Sequence, residues 1–241
     1  MIDIHCHILP EVDDGPQSWE ISEAMCRMAA NDGIEHIVAT PHANDHYFFD
    51  RDYLAGLIQE LRRRIGPAPR LSLGCDFHLS FDNMRSASRT PEKYAIDGGR
   101  YLLVEFSNFN ISSLVDEWFT HMHQRGVTPI ITHPERNPIL QQDPQRVLKW
   151  IELGCAVQVT ASVFTGVWGV RARQIADWLL KEQAVHFLST DAHDTERRVP
   201  LLSQARKVIS EVYGEELAEA LFETNPGAAV NNQPLPYFIH R

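Results

Sequence analysis

Apolar residues recur along this chain in two alternating rhythms. Short runs of β-type residues fall at 2–4, 34–39, 70–74, 101–106, 128–132, 156–159 and 185–189, each of a length that suits a strand buried in a parallel sheet. Between them the period lengthens to that of a helix. In 18–31, Ile21, Met25, Met28 and Ala29 share one face and Gly33 follows the end, and in 52–65 the residues Leu54, Leu57, Ile58, Leu61 and Ile65 repeat the pattern. Segments 113–125, 144–153, 170–182 and 201–213 complete the helical series. The stretch 77–99 follows neither rhythm and reads as irregular.

Such β/α alternation predicts parallel strands joined by helical crossovers, closed as a barrel or open as a doubly wound sheet. No internal repeat, low-complexity tract or long Pro/Gly linker interrupts it, so a single domain over 1–241 is expected, with length enough for a substantial core. Composition then works by exclusion. With 44% hydrophobic and 22% charged residues the chain is an ordinary globular one rather than a disordered one. No run approaches the roughly 18 consecutive apolar residues of a membrane span, and no basic-then-apolar start reads as an export signal. Cys6, Cys26, Cys75 and Cys155 are widely spaced and form no CxxC pair, as expected of reduced thiols in the cytoplasm. A net charge of −10 argues against a broad nucleic-acid surface. Divalent ions in a cleft would offset part of it and leave room for an anionic substrate. The basic run Arg62-Arg63-Arg64 reads as a solvated helix face.

The chemistry gathers at the carboxyl ends of the strand candidates. The first ends His5-Cys6-His7, the second Thr40-Pro41-His42 and the third Gly74-Cys75-Asp76, while the fourth contains Glu105. The fifth runs into Thr132-His133-Pro134-Glu135-Arg136 and the seventh into Thr190-Asp191-Ala192-His193. Side chains alternate faces along a strand, so His5 and His7 project together and Cys6 away from them. In a β/α barrel such ends surround one opening. His5, His7, Asp14, His42, Asp76, Glu105, His133, Asp191 and His193 exceed the four ligands of a closed zinc site and suit two or three ions with positions open to water and substrate. Imidazole mixed with carboxylate fits zinc, manganese or iron. His36 and His186 begin strands, His121 and His123 lie in a helix and His240 in the tail, so these read as structural or solvated. His46 and His78, close behind candidate ligands, stay open to either reading.

In this order HCH…VDDGP, ATPH, LVEFS, THPER and STDAH resemble the PHP (polymerase and histidinol phosphatase) superfamily. More closely they resemble its bacterial metal-dependent protein-tyrosine phosphatases of capsule and exopolysaccharide operons, along nearly the whole chain down to Asn225-Pro226. VDDGP and HPER point to that branch rather than to the histidinol phosphatases. The resemblance implies an α/β fold of PHP type, a distorted seven-stranded (β/α)7 TIM-like barrel, with three divalent ions, usually Mn2+, with Fe or Zn as alternatives. By motif, His5, His7, Asp191 and a bridging Asp76 hold one ion, and Asp76, Glu105 and His133 a second. Asp14, His42 and His193 hold the third, with Asp13 the alternative to Asp14. The family usually has glutamate where this chain has Asp76. One methylene shorter, Asp76 is expected to bridge with altered spacing or metal preference, and His78 is the substitute if it does not. Arg136 and Arg198 match family arginines and offer planar forks to phosphate. The implied substrate is a phosphotyrosine-containing protein, a bacterial tyrosine autokinase controlling capsule or exopolysaccharide synthesis.

Hydrolysis of a phosphate monoester needs a nucleophile and neutralised phosphoryl charge, and water bound between ions, with its lowered pKa, supplies hydroxide near neutral pH. A thiol route fails a simple test. Cysteine phosphatases carry arginine six residues after the cysteine, and here those positions hold Val12, Asp32, Phe81 and Ala161. Three rivals remain: a phosphatase of small metabolites such as histidinol phosphate, a TatD-type metal-dependent DNase, and a metal-binding regulatory module without turnover. The DNases lack a counterpart of the third-ion set, so His42 and His193 weigh against that reading.

Overall fold

The two rhythms become strands and helices in nearly the predicted places. The computed structural model describes residues 1–237. In chain order it contains β1 (Ile2–Cys6), α1 (Trp19–Asn31), β2 (His36–Ala39), β3 (His42–Ala43), α2 (Arg51–Ile65), β4 (Arg70–Leu73) and β5 (Asp76–His78). Then follow α3 (Phe81–Ala87), β6 (Tyr101–Glu105), α4 (Val115–Gln124), β7 (Thr128–Thr132), α5 (Gln145–Glu152), β8 (Ala156–Thr160), α6 (Gly169–Lys181) and β9 (Phe187–Ser189). The chain closes with α7 (Ser203–Tyr213), α8 (Glu215–Glu219), a π-helical turn and α9 (Asn225–Val230).

Local chemistry accounts for the helix ends. Ser18 accepts a hydrogen bond from the Ile21 amide and so caps α1, which buries Met25, Cys26 and Ala29. Asp50 caps α2 through the amides of Asp52 and Tyr53, and the Arg62, Arg63 and Arg64 run lies in its last turn, where cations meet the negative end of the helix dipole. One expectation is corrected, and one region lies beyond what the apolar rhythm predicts. The stretch 77–99 is not wholly irregular: Ser80 caps the seven-residue α3, too short to show a periodicity. The helices after Tyr213 went unseen because their buried residues follow no single 3.6-residue stripe across the π turn.

Every strand pairing is parallel, as the crossovers require. The ladders, however, form two sheets, β1-β2-β4 and β3-β5-β6-β7-β8-β9, rather than one closed seven-stranded barrel. The division falls at Thr40-Pro41 and Gly74-Cys75, between β2 and β3 and between β4 and β5. Proline has no amide to give a ladder, and side chains crowd Gly74 so that a Cβ there would stand 3.0 Å from Val38 Cγ1. At the other margin β1 meets the segment after β9 through single bonds, His7 N to Ala192 O and Asp191 N to His5 O, each 2.8 Å.

The core has two parts. Strand residues of one parity, among them Tyr101, Leu103, Ile130, Ala156 and Phe187, pack together on the inside, where Ala229 of α9 joins them. Leu102, Val104, Ile131 and Val157 face outward against the helices. This parity positions the site. Glu105 continues the inward series of Tyr101 and Leu103, and Gln158 continues that of Ala156. On β1 the register shifts between Asp3 and Cys6, so that Ile4 packs inside and His5 directly after it turns to the same side. Among the described residues no helix is long and apolar enough to cross a membrane.

Candidate metal centre

All nine predicted ligands converge at the carboxyl ends of the strands. Their donor atoms form four overlapping groups, each within 4.8 Å: His7, Asp14, His42 and His193; His5, His7 and Asp76; His5, His133 and Asp191; and His42, Asp76 and Glu105. His5 Nε2 lies 3.5 Å from Asp76 Oδ2 and 3.4 Å from Asp191 Oδ1, and His7 Nε2 lies 3.5 Å from Asp191 Oδ1. His42 Nδ1 stands 3.3 Å from Asp76 Oδ2, while Asp14 Oδ1 is 3.4 Å from His42 Nε2 and 3.3 Å from His193 Nε2. Two ligands about 2.1 Å from a shared ion stand at such separations from each other. The grouping differs in detail from the motif assignment. His7 falls with Asp14, His42 and His193, and His42 also reaches Asp76 and Glu105.

The residues fit divalent ions. Asp76 is fully buried, yet neither of its carboxylate oxygens has a hydrogen-bond partner, and His42 Nδ1 and His193 Nε2 are likewise unpartnered. A buried carboxylate without donors is costly, and a cation shared with the facing imidazoles removes that cost. Burial pushes the His193 imidazole down to about 4, so it is held neutral, the form that ligates. Against its own burial penalty, the Asp191 carboxyl is held far below the usual range by Arg136 and His5.

Neighbours aim the imidazoles. His7 Nδ1 donates to Asp13 Oδ2 at 2.7 Å, which leaves Nε2 facing the cluster. Asp13 also accepts from the amides of His42 and Gly15, so its oxygens are engaged and Asp14 is the acid that faces the donors. Burial alone would lower the His7 pKa, but Asp13 and Asp191 raise it to about 10. Gly15 is needed because a Cβ would stand 2.9 Å from the His7 carbonyl. His5 Nδ1 lies 3.0 Å from Gln158 Oε1, a partner that sequence reasoning missed because β8 ends without a His, Asp or Glu. Its only signal was the parity of that strand.

Both arginines reach the cluster. Arg136 donates to Asp191 Oδ2 and to Thr160 Oγ1, and Arg198 donates to the same Asp191 oxygen at 2.5 Å. The remaining histidines divide as follows. His78 Nδ1 is 3.7 Å from Glu105 Oε2, beside the cluster, whereas His46 is exposed. His36 binds Ser72 Oγ, His186 Nδ1 accepts from the Val157 amide, and His121 and His123 lie on the exposed side of α4. His240 lies outside the described residues. The four thiols are buried and unpaired, and burial pushes those of Cys6 and Cys75 far up, so neither is a nucleophile.

Residues 1–231 match the family model for capsular polysaccharide synthesis, CpsB/CapC. The chain is 31% identical over 230 residues to the putative tyrosine-protein phosphatase CapC of Staphylococcus aureus, covering 92% of this chain and 88% of that one. It is 29% identical over 240 residues to the tyrosine-protein phosphatase YwqE of Bacillus subtilis, with 98% and 93% covered. A solved structure from the pair YwqE of Bacillus subtilis and CpsB of Streptococcus pneumoniae, described as unique metal-dependent tyrosine phosphatases, matches over 100% of both chains. Its TM-score is 0.91 at 27% identity.

Proposed function

This chain belongs to the CpsB/CapC family of capsular polysaccharide synthesis, and from that we propose that it is a metal-dependent protein-tyrosine phosphatase. Its substrate is a phosphotyrosine-containing protein, a tyrosine kinase of capsule or exopolysaccharide synthesis. The observation that carries the reading is the buried donor cluster, with its unpartnered Asp76, set directly beside two arginines.

Three divalent ions, Mn2+ foremost, are the proposed complement. By the motif assignment His5, His7, Asp76 and Asp191 would hold the first, Asp76, Glu105 and His133 the second, and Asp14, His42 and His193 the third, with His7 and His42 near enough to a neighbouring group to be shared. Ions held there supply charge neutralisation and lower the pKa of bound water. Arg136 and Arg198 turn their forks to the phosphoryl oxygens, which a planar guanidinium matches in pairs. Asp13 and Gln158 hold His7 and His5 in the tautomer that presents Nε2. The leaving phenol has a pKa near 10, well below that of an alcohol, so the site needs no dedicated acid beside it.

The broken pairs β2/β3 and β4/β5, counted as one strand each, support a distorted seven-stranded barrel formed by a single domain over 1–241. Four unpaired, buried thiols are consistent with a cytoplasmic setting. The deciding experiment reconstitutes the protein with manganese and compares a phosphotyrosine peptide, histidinol phosphate and single-stranded DNA, with and without chelator. Chelator-sensitive preference for the peptide is expected. Preference for histidinol phosphate, or activity that survives chelation, refutes the reading.

A further inference from the structure

Next to the cluster lies a cavity of about 230 Å³. Glu105, His133 and Arg136 border it on the side of the metal centre, and Phe106, Trp168 and Ala172 belong to the rest of its wall. Drug-sized ligands occupy pockets of roughly 300–1,000 Å³, so this one suits a single side chain. Its lining is charged beside the cluster and carries two aromatic side chains among polar ones, Asn108, Asn137 and Gln141 included, which suits a molecule that is anionic at one end and has a phenol ring at the other.

The aromatic wall is held in place. Phe106 stacks on Trp150 with ring centroids 4.7 Å apart. Trp168 donates its indole N–H to Ser162 Oγ at 2.8 Å and carries the Arg136 guanidinium 3.8 Å from its ring centroid. The Arg198 guanidinium lies 5.8 Å from the same ring. Trp168 comes from the loop after β8, the strand that ends without a candidate ligand. That position supplies a flat surface where its neighbours supply donors.

We propose that this cavity is the subsite for the phenyl ring of the phosphotyrosine, and that Trp168 gives the site its preference for aryl over alkyl phosphates. The proposal rests on the phosphatase reading for the identity of its ligand. With the phosphoryl group against Arg136 and the cluster, the ring enters the cavity that Trp168 and Phe106 help to line. An alkyl phosphate of serine leaves that space to water. Aromatic pairing beyond burial is worth about three- to tenfold in affinity.

Titration calorimetry of the manganese-loaded protein with phenylphosphonate and methylphosphonate tests this without turnover. The unaltered protein is expected to bind phenylphosphonate about tenfold more tightly. Trp168→Leu, which keeps an apolar side chain but loses the plane, should bring the ratio below about twofold. Ala172→Phe, which fills the cavity from α6 with Trp168 still in place, should do the same and carries the test if the leucine variant does not fold. Equal binding of the two phosphonates by the unaltered protein, or a ratio that persists in a folded variant of either kind, overturns the subsite. An aryl preference without phosphotyrosine hydrolysis supports the subsite while refuting the phosphatase reading.

Discussion

At the scale of single residues, Asp76 makes the sharpest claim. Its two oxygens are buried and unpartnered while imidazoles from His5 and His42 face it. If it bridges two ions, Asp76→Ala removes a ligand from both, and bound metal should fall by about two ions per chain, together with nearly all turnover. Elemental analysis after gel filtration reads the first and phosphate release the second. Full metal content in that variant refutes the bridge and moves attention to His78. Gln158 acts one step further out. Partners that orient a ligating histidine are each worth about 10- to 100-fold in metal affinity. Gln158→Leu should weaken binding of the ion that His5 helps to hold by that factor, as read by titration against a competing chelator over all bound ions, and an unchanged affinity refutes the role. These two residues also mark what the sequence makes legible. A ligand announces itself by type at a strand end, as His5, His42 and Asp191 do. Gln158 could serve a dozen purposes, and only the strand parity that aims it at His5 distinguishes it.

At the scale of elements, the rhythm of apolar residues predicted six helices that the structure contains, with ends displaced by a few residues at most. What it could not convey was pairing. The switch from β2 to β3 depends on the missing amide of Pro41 and on the crowding of Gly74 by side chains of Val38, Ile96 and Thr40, and the latter are contacts between distant segments. The α8 to α9 region escaped for a different reason, since a π turn resets the helical face within it. β2 also carries a pH-sensitive group remote from the cluster. His36 is buried, donates to or accepts from Ser72 Oγ at 2.8 Å, and has Nδ1 unpartnered. Burial, and then Arg70 and Arg62 against Asp97, brings its pKa down to about 4. The unfolded chain, with an ordinary imidazole near 6.5, therefore takes up a proton that the folded chain refuses. The contribution of His36 is intact above about pH 6.5 and is lost as the pH falls toward 4. Between pH 7 and pH 5 the unaltered protein should lose about 1–2 kcal/mol more stability than His36→Gln in urea titrations. Using the difference between the two proteins cancels the histidines of the cluster, which both share. Parallel losses in the two proteins refute the assignment.

At the scale of the whole molecule, the fold gathers imidazoles and carboxylates, several of them without hydrogen-bond partners, at one opening. His5, His7, His42, His133 and His193 share one opening with Asp14, Asp76, Glu105 and Asp191, drawn from strands scattered over the chain. Ions bound there tie the ends of those strands together, and the unfolded chain offers no such site. Binding to the folded state alone contributes about 2.7 kcal/mol when free ion stands at 100 times its dissociation constant. For a chain of this length each kcal/mol moves the midpoint by about 2–4 °C. Removing the ions with chelator should therefore lower the thermal midpoint by about 5–11 °C. Adding manganese back should restore it in proportion to the logarithm of its concentration. The Asp76→Ala protein should show a much smaller shift, because its ions are already loosely held. If chelation strips the metal, as elemental analysis would verify, and the midpoint does not move, the ions do not brace the strand ends and the cluster is not the complement of the fold.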